Sequence, residues 1–292
     1  MRKKISIIAT FRNEEKNINK FINRINKSFR KSNNIDYKLI FIDDFSNDSS
    51  NSIIKKACIK NKKIKLITLK KRYGHNASVQ TGFDYLSDKN YAVVIDCDLQ
   101  DRPELIAQNL LKIKKNQTIH FVRKKRSDPA FQRFYTKIAY LILQFISNGK
   151  IISNSNYFKI IPPNVVKKIK KNTEIDPYWH YLFTKHSLIN KIVYYIRGKR
   201  IHGTSKFNLF SLNPWLTFFS AINYFKKSFI TITCVLLILN ILILFLTFHN
   251  YPSVILIFLI SLFICFLVAN LCAASFMAFY KKKNKKIYCR YK

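Results

Sequence analysis

The chain has 292 residues, with 52 Lys and Arg against 15 Asp and Glu, which gives a formal net charge of +37. Hydrophobic residues make up 48% and aromatic residues 15%, so the chain can bury a sizeable core and is not a disordered basic tail. The low content of Gly and Pro, 5 and 7 residues, excludes a collagen-like or linker-dominated chain. The charge implies attraction to an anionic partner, such as a membrane surface, nucleic acid or a phosphorylated substrate.

The first hundred residues alternate between short apolar runs and segments with helical spacing. The apolar runs predict strands at 5–9, 37–42, 64–69 and 91–95. The segments between them predict helices at 17–29, 49–58 and 77–86. Strands and helices that alternate at this rhythm predict a mainly parallel α/β sheet, in which ligands bind outside the carboxyl ends of the strands.

Polar side chains follow three of the predicted strands. The segments are Phe11-Arg12-Asn13-Glu14, Asp43-Asp44-Phe45-Ser46-Asn47-Asp48 and Asp96-Cys97-Asp98-Leu99-Gln100-Asp101. Two carboxylates at positions i and i+2 after a strand can hold a hard cation, since Mg²⁺ is commonly bound by one or two carboxylates plus substrate phosphates. Such pairs are more often turn or cap residues. Here seven of the 15 acidic residues fall at this one predicted edge, which favours a cation site.

These segments resemble a known family when two others are added to them. The others are Arg72-Tyr73-Gly74-His75-Asn76-Ala77 and Arg200-Ile201-His202-Gly203-Thr204-Ser205-Lys206-Phe207. The set is similar to the inverting glycosyltransferases of family two, and more narrowly to the polyprenyl-phosphate glycosyltransferases that are similar to dolichyl-phosphate mannose synthase. The resemblance implies a GT-A fold, a Rossmann-like α/β domain with a mainly parallel sheet. It also implies transfer of a sugar from a nucleotide-sugar, with a UDP-sugar favoured, to a polyprenyl phosphate such as undecaprenyl phosphate, for modification of the cell envelope.

The resemblance further implies roles for individual side chains. Asp98 is expected to be the main ligand of Mg²⁺ or Mn²⁺ and Asp96 a second one, with Gln100 near the donor sugar, and all three are expected to be catalytic. The basic residues expected to meet the lipid phosphate are Arg123, Arg126 and Arg133, of which the first two are also expected to be catalytic. The remaining residues expected to bind substrates are Asn13, Glu14, Asp43, Asp44, Ser46, Gly74, His75, Arg200, Ser205 and Lys206.

Two segments depart from the family pattern. Arg72 stands where the family usually has Asn, and Tyr157-Phe158-Lys159 stands where it often has an acidic residue before Phe-Arg. The second departure concerns the acceptor side of the site. It leaves open the same fold acting on another envelope acceptor, such as lipopolysaccharide or a teichoic glycan.

The C-terminal part of the sequence predicts a membrane anchor. Residues 228–280 contain no Lys, Arg, Asp or Glu, and the apolar runs 229–248 and 254–279 each reach the about 20 residues that a spanning helix needs. Lysines on both sides of this region predict that both ends face the cytoplasm. We therefore expect a multi-pass protein of the inner membrane. It would have a cytosolic domain over 1–206, a juxtamembrane amphipathic segment over 207–227, a two-helix hairpin and a basic cytosolic tail over 281–292.

A third interpretation starts from the charge alone. A basic membrane anchor without enzymatic activity would bind anionic lipid or nucleic acid. That interpretation leaves the acidic segments at the strand ends unexplained, so we expect an anionic membrane and no nucleic acid as partner. A homo-oligomer is a further expectation, because some members of the resembled group assemble through their membrane ends.

Overall fold

The computed structural model describes residues 2–30, 32, 34–124, 130–171 and 178–198, together with isolated positions between 221 and 270. Within these ranges, strands and helices alternate along the chain. The strands are Lys3–Phe11 (β1), Ile35–Asp43 (β2), Ile64–Thr68 (β3), Tyr91–Asp96 (β4), Gln117–Arg123 (β5), Ser155–Ile161 (β6) and Ile189–Tyr195 (β7). The helices are Glu15–Arg30 (α1), Ser50–Lys60 (α2), His75–Tyr85 (α3), Glu104–Leu111 (α4), Ala130–Ile146 (α5), Pro163–Lys170 (α6) and Trp179–Lys185 (α7).

The strands form one sheet in the order β3-β2-β1-β4-β6-β5-β7. Neighbouring strands run parallel except at β6, which is antiparallel to both β4 and β5. The prediction of a mainly parallel α/β sheet is therefore confirmed, and the four strands expected in the first hundred residues are β1 to β4. The alternation of the sequence does not predict the antiparallel direction of β6.

Both faces of the sheet are covered, which explains the nearly continuous apolar run of β1. Ile5 and Ile7 pack with Phe21 of α1 on one face, and Ile8 packs with Phe83 of α3 on the other. Each of these side chains is at most 1% exposed. Strands that are buried on both faces read as apolar runs, and burying each such side chain stabilises the fold by about 2 kcal/mol. The polar residues of the strand ends therefore stand out from the core.

Gly82 allows α3 to lie close to β1. A Cβ atom at this position would lie 2.4 Å from Cγ2 of Ile8, so an added methyl group requires the helix or the strand to shift. We expect Gly82→Ala to lower the free energy of unfolding by about 2 kcal/mol, although Ala has the better helix propensity. Urea unfolding of the full chain in detergent measures the change, with Asp84→Ala at an exposed position of α3 as control. Equal stability of Gly82→Ala and the parent protein would contradict the close approach.

The chain divides into two compact units. The first consists of 1–140, 150–174 and 179–206, and the second of 141–149, 175–178 and 207–292. The sheet lies in the first unit. Among the helices of the described ranges, none is long and apolar enough to cross a membrane. The predicted spans at 229–248 and 254–279, the segment 207–227 and the tail 281–292 lie outside the described residues, apart from isolated positions.

Candidate active site

The carboxyl ends of β1, β2 and β4 meet at one edge of the sheet, where Thr10 of β1 pairs with Asp96 of β4. Each of the three loops that follow contains a non-glycine residue with positive φ: Asn13 at 56°, Phe45 at 61° and Leu99 at 61°. Side chains other than Gly seldom adopt this conformation, and it recurs at functional sites. Tight turns at all three strand ends thus hold the polar segments side by side.

Three aspartates after β4 form the acidic part of the site. The side chain of Asp96 is 37% exposed, whereas those of Asp98 and Asp101 are only 5% and 2% exposed. Oδ1 of Asp98 accepts a hydrogen bond from the backbone N–H of Gln100 at 3.1 Å, which closes a tight turn around Leu99. Carboxylates with so little access to water need a positive or hydrogen-bonding partner.

Arg197, which follows β7, supplies that partner. Its Nε donates a hydrogen bond to Oδ1 of Asp101 at 3.1 Å. Its Nη2 lies 3.4 Å from Oδ2 of Asp98 and 4.0 Å from Oδ2 of Asp96. Burial alone would lower the pKa of Arg197, but Asp101, Asp98 and Asp96 raise it overall. One guanidinium group therefore faces all three aspartates and offsets part of their negative charge.

Asp101 is the buried anchor of this cluster. It also accepts hydrogen bonds from the hydroxyl group of Tyr195 and, at 3.5 Å, from the amide group of Asn156. Burial raises the pKa of Asp101, while the charge of Arg197 and the hydrogen bond from Tyr195 oppose that rise. Every one of these partners donates to the carboxylate, which favours its ionised form.

The loop after β4 is also joined to the segment after β7 through the backbone. The N–H of Gly198 donates to the carbonyl oxygen of Gln100 at 2.8 Å, and the side-chain amide of Gln100 donates to the carbonyl oxygen of Gly198 at 3.2 Å. Gln100 was expected near the donor sugar, and the structure places it beside the acidic cluster. Its amide group holds the backbone at Gly198, just after the end of β7.

His75 begins α3, directly after Gly74, whose φ is 90°. Nδ1 of His75 lies 3.3 Å from Oγ1 of Thr10 and 3.8 Å from Oδ1 of Asp96. The imidazole ring packs edge-on against Tyr157, with ring centroids 4.4 Å apart. Within the described part of the chain, Nε2 of His75 is buried without a hydrogen-bond partner. The structure thus brings His75 to the acidic cluster, while a contact with the donor stays a prediction.

The expected site residues after β1 and β2 bind one another. The backbone N–H of Asn13 donates to Oγ of Ser46 at 3.0 Å, and Oδ1 of Asn13 accepts from the N–H of Asn47 at 3.0 Å. Asp43 is buried and accepts from the N–H of Ser46 at 2.8 Å and from the amide group of Asn51 at 2.9 Å. These side chains fix the two loops against each other, so a direct contact of Asp43 with a nucleotide stays a prediction.

The two other acidic residues that are expected to bind substrates, Asp44 and Glu14, have similar structural partners. Asp44 accepts hydrogen bonds from the backbone N–H groups of Tyr73, at 2.7 Å, and Gly74, at 3.0 Å. Burial raises the pKa of Asp44, and these two hydrogen bonds oppose the rise. Glu14 accepts from the amide group of Asn17 at 2.6 Å. Asp44 therefore ties the loop after β2 to the turn that precedes α3.

The basic residues expected near the acceptor are only partly described. Arg123 ends β5, and its Nε is buried without a hydrogen-bond partner in the described part of the chain. Arg133 is exposed on α5. The other expected residues, Arg126, Arg200, Ser205 and Lys206, lie outside the described residues. A buried guanidinium nitrogen without a partner is uncommon, so Arg123 retains the capacity to donate to an anion.

The acidic cluster fits a hard divalent cation bound together with a substrate. No three His, Cys, Asp or Glu side chains of the described ranges converge to a metal centre made by protein alone. Mg²⁺ does not need one, because it is commonly bound by one or two carboxylates plus substrate phosphates and water. Asp96 and Asp98 offer this pair of oxygen donors, and the position of Arg197 shows that they attract a cation. Mg²⁺ or Mn²⁺ therefore suits the residues present.

Four residues of the cluster were not predicted from the sequence as site residues: Arg197, Asp101, Tyr195 and Asn156. Asp101 belongs to the acidic segment after β4, so its position already suggested a role. Arg197 lies three positions before Arg200, just outside the segment that carries the family resemblance. The sequence carries no local signal for Arg197, because the pairing of β7 with β5 that brings this residue to the edge of the sheet is a long-range contact.

Comparisons of the sequence with known proteins agree with this architecture. The family model described as "Glycosyl transferase family 2" matches residues 6–203 of this chain. The uncharacterized glycosyltransferase YkcC of Bacillus subtilis (strain 168) is 29% identical over 206 residues, which cover 70% of this chain and 63% of the relative. A prophage bactoprenol glucosyl transferase homolog of Escherichia coli (strain K12) is 26% identical over 207 residues, which cover 70% of this chain and 67% of the relative.

A solved structure agrees with the fold. Residues 1–349 of S. aureus TarS in complex with UDP superpose with a TM-score of 0.52 at 16% identity, covering 77% of this chain and 65% of that one. This likeness shows a GT-A-like mixed α/β fold and nothing finer. The matched region spans less than two thirds of the length of the Bacillus relative. Because the family match covers well over half of the 292 residues, the chain belongs to glycosyltransferase family 2.

Proposed function

We propose that this glycosyltransferase moves a sugar from a nucleotide-sugar, with UDP as the favoured nucleotide, to a polyprenyl phosphate such as undecaprenyl phosphate. The observation that carries the proposal is the acidic cluster at the carboxyl edge of the sheet, where Asp96 and Asp98 can bind a cation. The name of the E. coli relative, a bactoprenol glucosyl transferase homolog, supports a lipid acceptor. The product would serve the modification of the cell envelope.

The chemistry asks the protein to hold two anions close together. A phosphate monoester has a second pKa near 6, so it is largely anionic at pH 7 and can attack the anomeric carbon without a strong general base. The new bond joins a phosphate oxygen to the anomeric carbon, and the bond from that carbon to the nucleoside diphosphate breaks. Mg²⁺ or Mn²⁺ on Asp96 and Asp98 would supply charge neutralisation at the departing diphosphate.

Basic side chains would bind the lipid phosphate. Guanidinium groups suit this role because they donate paired, charge-assisted hydrogen bonds to phosphate oxygens. Arg123 is the best-supported candidate, since its Nε is buried without a partner in the described part of the chain. Arg126, Arg133, Arg200 and Lys206 complete the proposed set, with Ser205 as a neutral donor.

The proposed membrane anchor would bring the acceptor to the site. In this arrangement 229–248 and 254–279 span the inner membrane, and the catalytic domain and both termini are cytosolic. The isoprenoid chain stays in the hydrocarbon while its phosphate reaches the protein. Exposed apolar side chains on α5, including Phe134, Leu141 and Phe145, support contact with the headgroup layer. The net charge of +37 favours an anionic membrane.

A product assay tests the proposal. The full-length protein in detergent is incubated with a panel of UDP-sugars, Mg²⁺ or Mn²⁺, and undecaprenyl phosphate, and the lipid fraction is analysed by mass spectrometry. We expect one lipid-linked sugar, which forms only with its own donor. It should not form when EDTA is present from the start of the reaction. Transfer to lipopolysaccharide or a teichoic glycan, without any transfer to the lipid phosphate, would contradict the proposed acceptor. Formation of the product in the presence of EDTA would contradict the requirement for a metal ion.

A further inference from the structure

Arg197 competes with any cation for the oxygen atoms that the proposed function assigns to the metal. Its Nη2 approaches Oδ2 of Asp98 at 3.4 Å and Oδ2 of Asp96 at 4.0 Å. A divalent cation bound by the same oxygens would repel the guanidinium group strongly at this short range.

The side chain is anchored in a way that permits Nη2 to move. Nε of Arg197 donates to Oδ1 of Asp101, and Asp101 is itself fixed by Tyr195 and almost completely buried. The guanidinium group has five N–H donors, so one end can stay on Asp101 while the other changes its partner. The side chain of Arg197 is 18% exposed, which leaves a path to solvent or to a ligand at the cluster.

We propose that Arg197 occupies the cation position of Asp96 and Asp98 in the free enzyme, and that a divalent cation arriving with the nucleotide displaces Nη2 from these carboxylates to the diphosphate. Arg197 is then a positioning residue for the metal and a binding residue for the donor. This inference rests on the metal of the proposed function. The inference goes beyond that function because it assigns a placeholder that partly neutralises the acidic cluster before the substrate binds.

The arrangement has a thermodynamic consequence. Metal alone must remove Nη2 from two carboxylates without offering it a new anion, so metal alone binds weakly. The diphosphate supplies that anion, and nucleotide and metal therefore strengthen each other's binding by the same factor. In the parent protein we expect UDP to tighten Mn²⁺ binding at least about tenfold, since this coupling includes both charge neutralisation and the release of Arg197.

Binding measurements on the full chain in detergent test the inference without relying on turnover. Electron paramagnetic resonance of free Mn²⁺ gives the Kd of the metal alone, and calorimetry gives the Kd of UDP at saturating Mn²⁺. For Arg197→Gln we expect the metal alone to bind about tenfold more tightly and UDP about tenfold more weakly, because a competing and then assisting charge is lost. A purely structural role of Arg197 would weaken both. Arg197→Lys keeps the charge but loses the paired nitrogens that contact Asp101 and Asp98 together, so we expect its Mn²⁺ affinity to lie between those of the parent protein and Arg197→Gln.

Arg24→Gln is the matched control. Arg24 donates to the carbonyl oxygen of Leu99 and pairs with Glu104, and it does not contact Asp96 or Asp98. Its substitution therefore removes one positive charge beside the same loop without changing a contact of the two aspartates. We expect unchanged Mn²⁺ affinity for this variant. Unchanged or weaker binding of Mn²⁺ alone in Arg197→Gln overturns the inference. The absence of coupling between UDP and Mn²⁺ in the parent protein also overturns it, and this measurement does not depend on the folding of a variant.

The outcome separates this inference from the proposed function. If the parent protein forms the lipid-linked sugar while Arg197→Gln fails to tighten Mn²⁺, only the placeholder role is wrong. If Arg197→Gln binds Mn²⁺ more tightly and UDP more weakly, while the parent protein forms no lipid-linked sugar, the placeholder role stands and the proposed acceptor is wrong.

Discussion

We expect Asp98→Asn to lower the rate of sugar transfer about a thousandfold, which corresponds to about 4 kcal/mol of transition-state stabilisation. The side chain is 5% exposed and has almost the same shape as Asn. An amide oxygen can still accept the hydrogen bond from the N–H of Gln100. The substitution therefore removes the negative charge that would bind the cation and leaves the turn in place.

Two measurements separate the loss of charge from a loss of folding. The initial rate of lipid-linked sugar formation reports the transfer, and the thermal unfolding midpoint reports the fold. Asp36→Asn is the control, because Asp36 lies near the start of β2, at the opposite end of the strand from the site. Transfer by Asp98→Asn within about threefold of the parent rate would contradict the role of Asp98. A basic anchor without enzymatic activity would bind anionic lipid equally well with either variant.

The first half of the fold follows from the sequence because β1, β2 and β4 are largely buried on both faces. The runs in β1, β2 and β4 contain few polar residues, and the helices between them carry apolar side chains at helical spacing. Strand β6 breaks this pattern. It contains Lys159, a residue type that is seldom buried in proteins, yet the side chain is completely buried. The direction of β6 depends on long-range pairing with β4 and β5, which local periodicity does not encode.

The acidic part of the candidate site was predictable because acidic residues are scarce in this chain. With 15 acidic residues in the chain, the segments at Asp43 and Asp96 stand out, and parallel strands bring their ends together. The contact of Arg197 with Asp98 joins residues 99 positions apart. It is possible because β7 and β4 run in the same direction, so both strands end at the same edge of the sheet. Among 52 basic residues, no local feature distinguishes the one that the topology brings to the aspartates.

The buried ammonium group of Lys159 leads to a prediction about stability. Lys159 of β6 lies opposite His120 of β5, and its Nζ donates to the carbonyl oxygen of Asn156 and lies 5.4 Å from the ring centroid of Phe183. Burial lowers the pKa of Lys159 to about 7. Burial also lowers the pKa of His120 and of His180 to about 3, and the charge of Lys159 adds to both shifts.

The sign of the pH dependence follows from these values. The pKa of Lys159 is lower in the folded protein than the ordinary value of 10.5, so the unfolded chain binds more protons between pH about 7 and about 10.5. The contribution of this residue therefore makes the protein more stable as the pH rises through that window. Below pH 7 both states are protonated and the contribution no longer changes. Protonation inside the core costs about 4 kcal/mol at pH 7.

We expect Lys159→Met to raise the free energy of unfolding at pH 7 by about 3 kcal/mol and to reduce its increase between pH 7 and 9.5. Methionine fills the volume of the lysine stem and brings no charge into the core. Urea unfolding of the full chain in detergent at the two pH values measures both effects. Lys65→Met, at an exposed position of β3, is the control and should change neither.

The opposite result would have a specific structural meaning. Asn156, whose carbonyl oxygen accepts from Lys159, donates through its side chain to Asp101 at 3.5 Å. A loss of stability in Lys159→Met, with transfer activity falling in parallel, would mean that the ammonium group supports the start of β6, which carries this contact. A gain of stability with activity retained would mean that the acidic cluster is held by Arg197 and Tyr195 without help from Lys159. The two measurements together therefore decide whether the buried lysine contributes to the site or only destabilises the core.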